Sequence, residues 1–400
     1  MLCRSAGCAV KMHVTVVGGG MIVHDQILPS LYQLRRRGLV GNITVCARRK
    51  ETLASLAANP RIAAAFPGES FTATTAPYQD VLANAAERNL AIIALPDQIH
   101  FDAVMTAIDA QQHVICVKPL VQKIQQATLV EKAARDRNLF VGVEYHKRFD
   151  DRALMARDRY RQGLFGDFKL GTARLFEKWY YRHSNFQNWF SMENSDAFTY
   201  IGCHYVDLVH FITGLMPVSI SVAGVPERFP NGTEAWMWTD ARVKWSNGAI
   251  LNVQNALGYP DQGPGSNTQG MTLWCSQGDS GGFLNHIDSH RGLEYCYVDG
   301  GYSEPSPDYM QYLPNHLGPG EHVSGYGYRS IEALVEAAQS VEGDASARER
   351  IEKQGIVATA ANSSYNELVT EAARLSLEND GREVLIQYGV LPFVHLKSYL

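Results

Sequence analysis

The chain has 400 residues, of which 46% are hydrophobic and 19% are charged. This fraction of apolar residues is far higher than in disordered chains. A net charge of −5 excludes a broad basic face for nucleic acid. No apolar run reaches the roughly 18 residues of a membrane-spanning helix, so we expect neither nucleic-acid nor membrane partners.

The first third of the chain alternates short apolar runs with amphipathic stretches. Predicted strands cover residues 13–17, 42–47, 71–73, 90–95, 113–117 and 140–143. Predicted helices cover the stretch from the first strand to about Arg37, then 51–58, 99–111 and 125–137. Apolar strands that alternate with helices indicate a parallel sheet covered on both faces. We therefore predict an α/β first domain over residues 12–147.

A Gly-Gly-Gly turn joins the first predicted strand to the first helix. Glycines at this place let the backbone approach a pyrophosphate held at the helix N-terminus. Val23 stands at the third fingerprint position, where Gly or Ala usually allows close packing, so an ordinary glycine-rich turn is the alternative. The strand–turn–helix context favours a Rossmann domain that binds a dinucleotide. The predicted contacts in this turn are Gly18, Gly20, Met21 and Ile22.

The end of the second predicted strand bears on the choice between NAD and NADP. An acidic residue there would bind the ribose 2′-hydroxyl, but Ala47 holds this place and Arg48 and Arg49 follow it. Guanidinium groups suit a 2′-phosphate. We therefore predict a cofactor of the NAD(P) type with a preference for NADP. The alternative is that the arginine pair only begins the next helix and stacks on adenine.

From about residue 148 the pattern changes to longer alternating strands with hairpin signals. Predicted strands cover 170–178, 220–224, 236–245, 249–255 and 271–276, and predicted helices cover 151–162, 197–213, 331–341 and 358–377. Asn247-Gly248 reads as a hairpin turn. The loops 258–270 and 292–325 are irregular, and the first is a candidate rim of an active site. We predict a second, α+β domain over 148–400 with an open, largely antiparallel sheet.

Five short motifs occur in order along the chain: VVGGGMI at 16–22, LPDQIH at 95–100, CVKP at 116–119, EYHKRF at 144–149 and IGCHYVDLVHFITG at 201–214. With the closing segment NSSYNELVTEAARLSLENDGREVLI, the chain resembles the Gfo/Idh/MocA oxidoreductases, the family of glucose–fructose oxidoreductase and inositol dehydrogenase. The resemblance runs from about residue 12 to 388. It implies hydride transfer between a nicotinamide cofactor and a hydroxyl or keto carbon of a sugar, cyclitol or sugar derivative. It also implies cofactor contacts at Pro96 and His100.

Lys118 follows the predicted strand 113–117, at the edge where parallel sheets bind their ligands. An ammonium there can hydrogen-bond both the nicotinamide ribose and the substrate hydroxyl, and Pro119 limits the turn. Without the resemblance, a lysine and proline after a strand would read as a solvated loop. Val117 stands where the family carries glutamate, so we expect Lys118 to lack that ion-pair partner.

The resemblance places His204 as the proton acceptor, with an imidazole suited to pH near 7. Tyr200 lies one helical turn earlier on the same face, where many members carry aspartate. An ammonium nearby can lower a phenol's pKa, so Tyr200 is either the base or a hydrogen-bonding partner of the sugar, and we favour His204 as base. A buried core histidine is the alternative for His204.

Asp207 is predicted to orient His204 or to bind a substrate hydroxyl. No metal site is expected from His204, Asp207 and His210, because helical spacing spreads them around the circumference.

The segment that precedes this helix is rich in aromatic residues, which suit the apolar face of a sugar ring. Trp179, Arg182 and His183 are predicted to contact substrate, with Arg182 pairing with a carboxylate if the substrate is a sugar acid. A packed strand end is the alternative. Trp236, Trp238 and Trp245 are predicted to lie on a sheet face, and such an apolar face predicts a homo-oligomer, either a dimer or a tetramer.

Seven scattered cysteines without a CxxC pair indicate reduced thiols, no structural zinc and a cytoplasmic protein. Residues before Met12 read as a dispensable leader. Two further functions stay open beside the dehydrogenase. One is a redox-neutral enzyme that keeps its cofactor and cleaves or epimerises a glycoside. The other is a non-catalytic sensor, which the presence of Lys118 and His204 argues against.

Overall fold

We describe the protein from a computed structural model, which covers residues 11–288, 293–296, 298, 302–303, 306–344 and 346–398. All but the last residue of the predicted leader, and parts of the irregular loop 292–325, lie outside these described residues. In the part that is described, no helix is both long and apolar enough to cross a membrane.

The first sheet has six strands, which all run parallel. They are β1 Met12–Val17, β2 Val40–Cys46, β3 Thr72–Thr74, β4 Leu90–Ile93, β5 His113–Val117 and β6 Val141–Glu144. Their order is β3-β2-β1-β4-β5-β6. The order reverses between β1 and β4, and such a reversal opens a crevice at the carboxyl ends of the strands. The predicted Rossmann fold is confirmed.

Helices cover both faces of this sheet. They are α1 Leu28–Arg36, α2 Lys50–Ala57, α3 Pro60–Ala65, α4 Tyr78–Ala83, α5 His100–Asp109 and α6 Ile124–Asp136. A π-helical turn, Val23–Ile27, precedes α1, and the amide of Leu28 donates to the carbonyl of Val23. Pro29 has no amide hydrogen, so it cannot donate the next helical bond. Wide turns of this kind often occur at functional sites.

The remaining strands belong to a larger mixed sheet and to two small ribbons. They are β7 Asp167–Lys178, β8 Pro217–Arg228, β9 Glu234–Trp245, β10 Ile250–Tyr259, β11 Asn267–Ser276, β12 Phe283–Ile287, β13 Tyr295–Cys296, β14 Tyr302–Ser303, β15 Gln311–Pro314, β16 Glu321–Ser324, β17 Val384–Gln387 and β18 Phe393–Leu396. The sheet order is β12-β11-β7-β10-β9-β8-β17-β18, in which only β7 and β10 pair parallel. The predicted largely antiparallel sheet is confirmed. Gly248, with φ +85°, makes the predicted turn between β9 and β10.

The later helices are α7 Asp151–Arg161, α8 Tyr180–Ser184, α9 Cys203–Thr213, α10 Tyr326–Gly343, α11 Ala347–Gln354, α12 Ala360–Ser363 and α13 Tyr365–Leu377. The helix predicted for 197–213 begins as a π-helical turn, Phe198–Gly202, before α9. Alternate residues of β9 are buried beneath helices, which leaves Trp236 and Trp238 half-buried on the other face. Trp245 lies on the opposite, buried face of the strand and packs in the core with 1% exposure.

The chain returns to the first sheet after it has completed most of the second. Helix α10 packs Ile331, Leu334 and Val335 into the same apolar cluster as Val14 and Val16 of β1. A division of the chain between residues 147 and 148 stays a prediction, but the core of the first sheet includes residues from far beyond that point.

Candidate functional site

A cleft of about 270 Å³ runs along the carboxyl ends of β1, β2, β4 and β5. Gly18 has φ +117°, and a Cβ built on it would lie 2.0 Å from the carbonyl oxygen of Ala94. Only glycine therefore fits between β1 and the turn after β4. A Cβ on Gly20 would meet no atom within 4 Å, so the backbone there is open to the cleft. This open backbone at a helix start fits a dinucleotide pyrophosphate.

Most of the predicted cofactor contacts line this cleft: Gly18, Gly20, Met21, Ile22, Ala47, Arg48, Arg49, Pro96 and Lys118. Arg48 and Arg49 are exposed at its outer end, and neither guanidinium has a hydrogen-bond or ion-pair partner among the described residues. Their charges are therefore available to an anionic group.

His100 is placed differently from its prediction. Its ring is fully buried, with Nδ1 2.8 Å from the carbonyl oxygen of Pro119 and Nε2 2.8 Å from that of Leu95. The side chain ties the turn after β4 to the turn after β5. A direct cofactor contact does not fit this geometry, because both ring nitrogens already face backbone carbonyls.

Lys118 stands where the cleft opens into a second cavity. Its Nζ donates to the backbone carbonyl of Tyr200 and lies 3.9 Å from the centroid of that ring. Asp97, which is buried, accepts a hydrogen bond of 2.9 Å from the hydroxyl of Ser195. Burial raises the pKa of Asp97, and the nearby His100 and Lys118 oppose that rise. The charge of Lys118 acts on Asp97 from across the turn after β4, but no ion pair joins the two side chains among the described residues, so the expected loss of the glutamate partner at Val117 stays a prediction.

The second cavity, of about 400 Å³, lies between the first sheet and the second. Its walls come from separate parts of the chain, and they include His24, Asp25, Arg61, Lys147, Leu175, Glu177, Tyr181, Phe186, His204, Gln269, Tyr309, Met310, Tyr312 and Tyr326. Five residues line both the cleft and the cavity, namely Met21, Ile22, Lys118, His146 and Tyr200. These shared residues mark the place where a bound cofactor and a substrate would meet.

His204 lies in this cavity and is 5% exposed. Its Nδ1 is buried and has no hydrogen-bond partner among the described residues. Burial holds the pKa of His204 well below its ordinary value, and the positive charges of Lys118, His146 and Lys147 add to this effect. The imidazole is therefore neutral at pH 7 and available as a proton acceptor.

Tyr200 lies in the π-helical turn before α9. Its ring packs edge-on against Phe186, Trp189 and Phe190, with centroid distances of 4.9, 5.5 and 5.9 Å. Burial raises the pKa of the phenol strongly, and the nearby Asp97 raises it further. The expected lowering by Lys118 does not prevail, because burial of the phenol is the largest effect on its pKa. The phenol stays protonated, so it can donate a hydrogen bond but not act as base.

Asp207 lies away from both spaces and is 1% exposed. Its Oδ2 accepts from Nε of Arg148 at 2.8 Å, and its Oδ1 accepts from the same guanidinium at 2.5 Å and from the hydroxyl of Tyr365 at 2.7 Å. The predicted role in orienting His204 or binding a hydroxyl does not fit, because both oxygens are already engaged. Among the described residues, no group of His, Cys, Asp and Glu is arranged to hold a metal ion.

The aromatic segment supplies different residues from those predicted. Arg182 is 2% exposed, with its guanidinium carbon 3.6 Å from the ring centroid of Trp179, and it pairs with Glu227. Neither Trp179 nor Arg182 lines the cavity, and His183 is exposed outside it. Their predicted substrate contacts are therefore not supported. Tyr181 and Phe186, from the same segment, line the cavity instead.

His146 and Glu144 are the site residues that sequence reasoning missed. Glu144, the last residue of β6, accepts from Nε2 of Gln26 at 2.8 Å and from the hydroxyl of Ser330 at 2.7 Å. Its Oε2 lies 3.1 Å from Nδ1 of His146, whose ring centroid is 4.7 Å from that of His204. His146 follows strand β6 much as Lys118 follows strand β5. The rule that ligands bind at the carboxyl ends of parallel strands, which selected Lys118, could therefore have selected His146 as well.

Comparison with known families covers both parts of the chain. Residues 12–145 match the model of the oxidoreductase family with an NAD-binding Rossmann fold, and residues 153–279 match the GFO/IDH/MocA C-terminal domain. Together the two matches span more than half of the chain.

Individual relatives are more distant. The levoglucosan dehydrogenase of Pseudarthrobacter phenanthrenivorans is 23% identical over 43% of this chain and 45% of its own length. The D-glucoside 3-dehydrogenase of Escherichia coli is 22% identical over 54% and 58%. The chain thus aligns with about half the length of these two relatives.

A solved structure extends the likeness over nearly the whole fold. The crystal structure of GenD2 from gentamicin A biosynthesis, in complex with NAD, superposes with a TM-score of 0.71 at 15% identity. It covers 97% of this chain and 100% of its own. This likeness concerns the fold, whereas the two family matches concern the sequence. The chain belongs to the Gfo/Idh/MocA oxidoreductase family.

Proposed function

We propose that the protein is an NAD(P)-dependent dehydrogenase that oxidises a hydroxyl-bearing carbon of a sugar or sugar derivative. The observation that carries this proposal is the junction at Lys118. There a cleft suited to a dinucleotide opens directly onto a cavity that holds a neutral, buried histidine. The carbohydrate substrates named for levoglucosan dehydrogenase and D-glucoside 3-dehydrogenase support a sugar as the substrate.

The chemistry divides between cofactor and protein. Bound NAD(P)⁺, held by the glycine turn and the residues after β2 and β4, supplies the two-electron acceptor. Lys118 donates a hydrogen bond to the reacting oxygen, and the neutral imidazole of His204 accepts the hydroxyl proton as the carbonyl forms. Tyr200 orients the oxygen as a hydrogen-bond donor, since its phenol is protonated.

The test is a turnover assay with NAD and with NADP over a panel of sugars, inositols and glycosides. We expect reduced nicotinamide to accumulate with at least one carbohydrate. Binding of cofactor with no turnover anywhere in the panel would contradict the proposal. A cofactor that co-purifies and supports catalysis without net reduction would instead indicate the redox-neutral enzyme.

We further propose that NADP is preferred over NAD. Arg48 and Arg49 lie exposed in the wall of the cleft, and Ala47 replaces the acid that would bind a ribose 2′-hydroxyl. Titration should show tighter binding of NADP, and Arg48→Ala should reduce the preference about tenfold, as expected for one charge-assisted contact. Arg159→Ala, at an exposed arginine of α7, is the matched control. Equal or tighter NAD binding by the parent protein would refute the preference.

A further inference from the structure

Asp25, Arg61 and Tyr312 form one part of the cavity wall, and among the described residues no hydrogen bond, ion pair or ring contact joins them to Lys118 or His204. We call this the outer end, in contrast to the inner end at Lys118 and His204. The residues of the outer end come from the π-helical turn before α1, from α3 and from β15. They line the same continuous space as the inner residues.

The aromatic wall of the outer end is held in place by ionic contacts. The guanidinium carbon of Arg61 lies 4.0 Å from the ring centroid of Tyr312, and the guanidinium pairs with the carboxylate of Glu321 on β16. Arg36 of α1 donates to the carbonyl of Glu321 at 2.8 Å. The ring of Tyr312 also meets Phe66 edge-on at 6.4 Å. The ribbon of β15 and β16 is thus fastened to the first domain, and the charge of Arg61 is balanced.

Asp25 is the unbalanced charge of this end. Its carboxyl group lines the cavity and has no hydrogen-bond or ion-pair partner among the described residues. Burial raises its pKa to about 6, so the group is mostly ionised at pH 7. Its charge acts on Tyr181, Tyr309 and Tyr312, raising the pKa of each beyond the effect of burial. These three tyrosines line the same cavity as Asp25 and belong to different segments of the chain. Such a group can only accept hydrogen bonds.

We propose that the outer end is a second subsite, which binds the non-reacting ring of a neutral disaccharide or glycoside. The proposal rests on the proposed dehydrogenase function, because it places the reacting ring at Lys118 and His204. Tyrosine rings offer apolar faces to the C–H face of a second sugar, and Asp25 accepts hydrogen bonds from its hydroxyls. The uncompensated carboxylate opposes anionic substituents, so sugar phosphates and sugar acids are disfavoured. A cavity of about 400 Å³ is within the size range of sites that enclose such ligands.

The test measures binding rather than turnover, by titration calorimetry on the protein saturated with oxidised cofactor. The probes are glucose and methyl glucoside as single rings, and maltose, cellobiose, trehalose and sucrose as two-ring compounds. We expect at least one two-ring probe to bind about tenfold or more tightly than the single rings. Asp25→Asn should weaken that binding about tenfold and single-ring binding much less, as expected for a hydrogen bond to a charged group. Asp80→Asn, at an exposed aspartate of α4, is the control.

Two results would overturn the proposal. One is that no two-ring probe binds better than the single rings in the parent protein. The other is that Asp25→Asn, with an unchanged thermal midpoint, weakens both classes of probe equally. Failure of the dehydrogenase proposal looks different, because the two-ring probe would then bind without any reduction of the cofactor.

Discussion

The cofactor cleft and the substrate cavity meet at Lys118 but are built in opposite ways. Most of the cleft's lining consists of short turns that directly follow strands of the first sheet, as at Gly18, Ala47 and Pro96. The cavity joins segments that are distant along the chain, as in the 2.8 Å hydrogen bond from the hydroxyl of Tyr309 to Oε1 of Gln26, 283 residues away. The cleft therefore depends on local rules of sheet geometry, whereas the cavity depends on how the later segments fold back.

The two regions also differ in how they handle charge. Arg48 and Arg49 of the cleft are exposed and unpaired among the described residues, as suits a site that binds an anion. Around the cavity, Lys147 is buried and lies 2.6 Å from Oε1 of Gln269 and 3.2 Å from Oδ2 of Asp288. Arg61 is likewise paired, which leaves Asp25 as the carboxylate of this wall without a partner among the described residues. These differences underlie the proposals of a neutral sugar in the cavity and of a 2′-phosphate in the cleft.

The largest expected effect tests whether the two regions truly share one centre. Lys118→Met should lower kcat/KM about 10³-fold, because it removes the donor that faces both the cofactor and the reacting oxygen. The free energy of unfolding should fall by only about 1–2 kcal/mol, for the carbonyl of Tyr200 that loses its donor. Lys123→Met, at a lysine that is 60% exposed, is the control. Activity close to that of the parent would separate Lys118 from the chemistry.

Substitution of Asp207 tests whether this residue binds substrate or only stabilises the fold. Asp207→Asn should cost about 3 kcal/mol of stability, because it leaves the buried guanidinium of Arg148 without its counter-charge. The KM of the folded fraction should stay near that of the parent. Chemical denaturation and steady-state kinetics measure the two quantities. Glu131→Gln, in an exposed ion pair of α6, should change stability by less than about 0.5 kcal/mol. A raised KM with unchanged stability would instead indicate that Asp207 contacts the substrate.

His204 and Tyr200 test the assignment of the base. His204→Asn should lower kcat about 10²-fold, whereas Tyr200→Phe should lower it less than tenfold. Because the pKa of His204 is lowered, the neutral form persists through pH 6.5. The oxidation rate should therefore stay level down to that pH and fall only below it, and His204→Asn should abolish this fall. An active His204→Asn variant beside an inactive Tyr200→Phe variant would reverse the assignment.

The smallest effect concerns the two glycines of the cleft. Gly20→Ala should preserve the thermal midpoint and weaken dinucleotide binding about tenfold, because its Cβ enters the open space of the cleft. Gly18→Ala should instead destabilise the fold by about 2 kcal/mol or more, since it meets the Ala94 carbonyl and has φ +117°. Thermal shift and calorimetric titration with NAD⁺ distinguish the two outcomes. Equal changes in thermal midpoint and in dinucleotide affinity for the two variants would contradict the separate structural role of Gly18 and binding role of Gly20.

Sequence reasoning located a residue correctly where its place follows from a strand–turn unit. Gly18, Arg48 and Lys118 each follow a strand of a parallel sheet, and such a sheet brings all its carboxyl ends to one edge. His146 obeys the same rule and was within reach of the same reasoning. His100 shows the limit, because its place in the LPDQIH motif does not reveal that both ring nitrogens face backbone carbonyls.

Periodicity and turn chemistry act over a few neighbouring residues, so the sequence was enough to predict the Rossmann sheet and its glycine turn. The prediction of His204 as base came from the resemblance to a known family. Which polar side chains have no intramolecular partner, and so can bind a ligand, became visible in the tertiary structure. Asp207 is engaged in a buried ion pair with Arg148, and Arg182 in a partly exposed one with Glu227. Asp25, in the π-helical turn before α1, lines the cavity without a partner among the described residues. The physical reason is that a side chain's availability depends on the partners that distant segments bring to it, and those partners are set by how the chain packs.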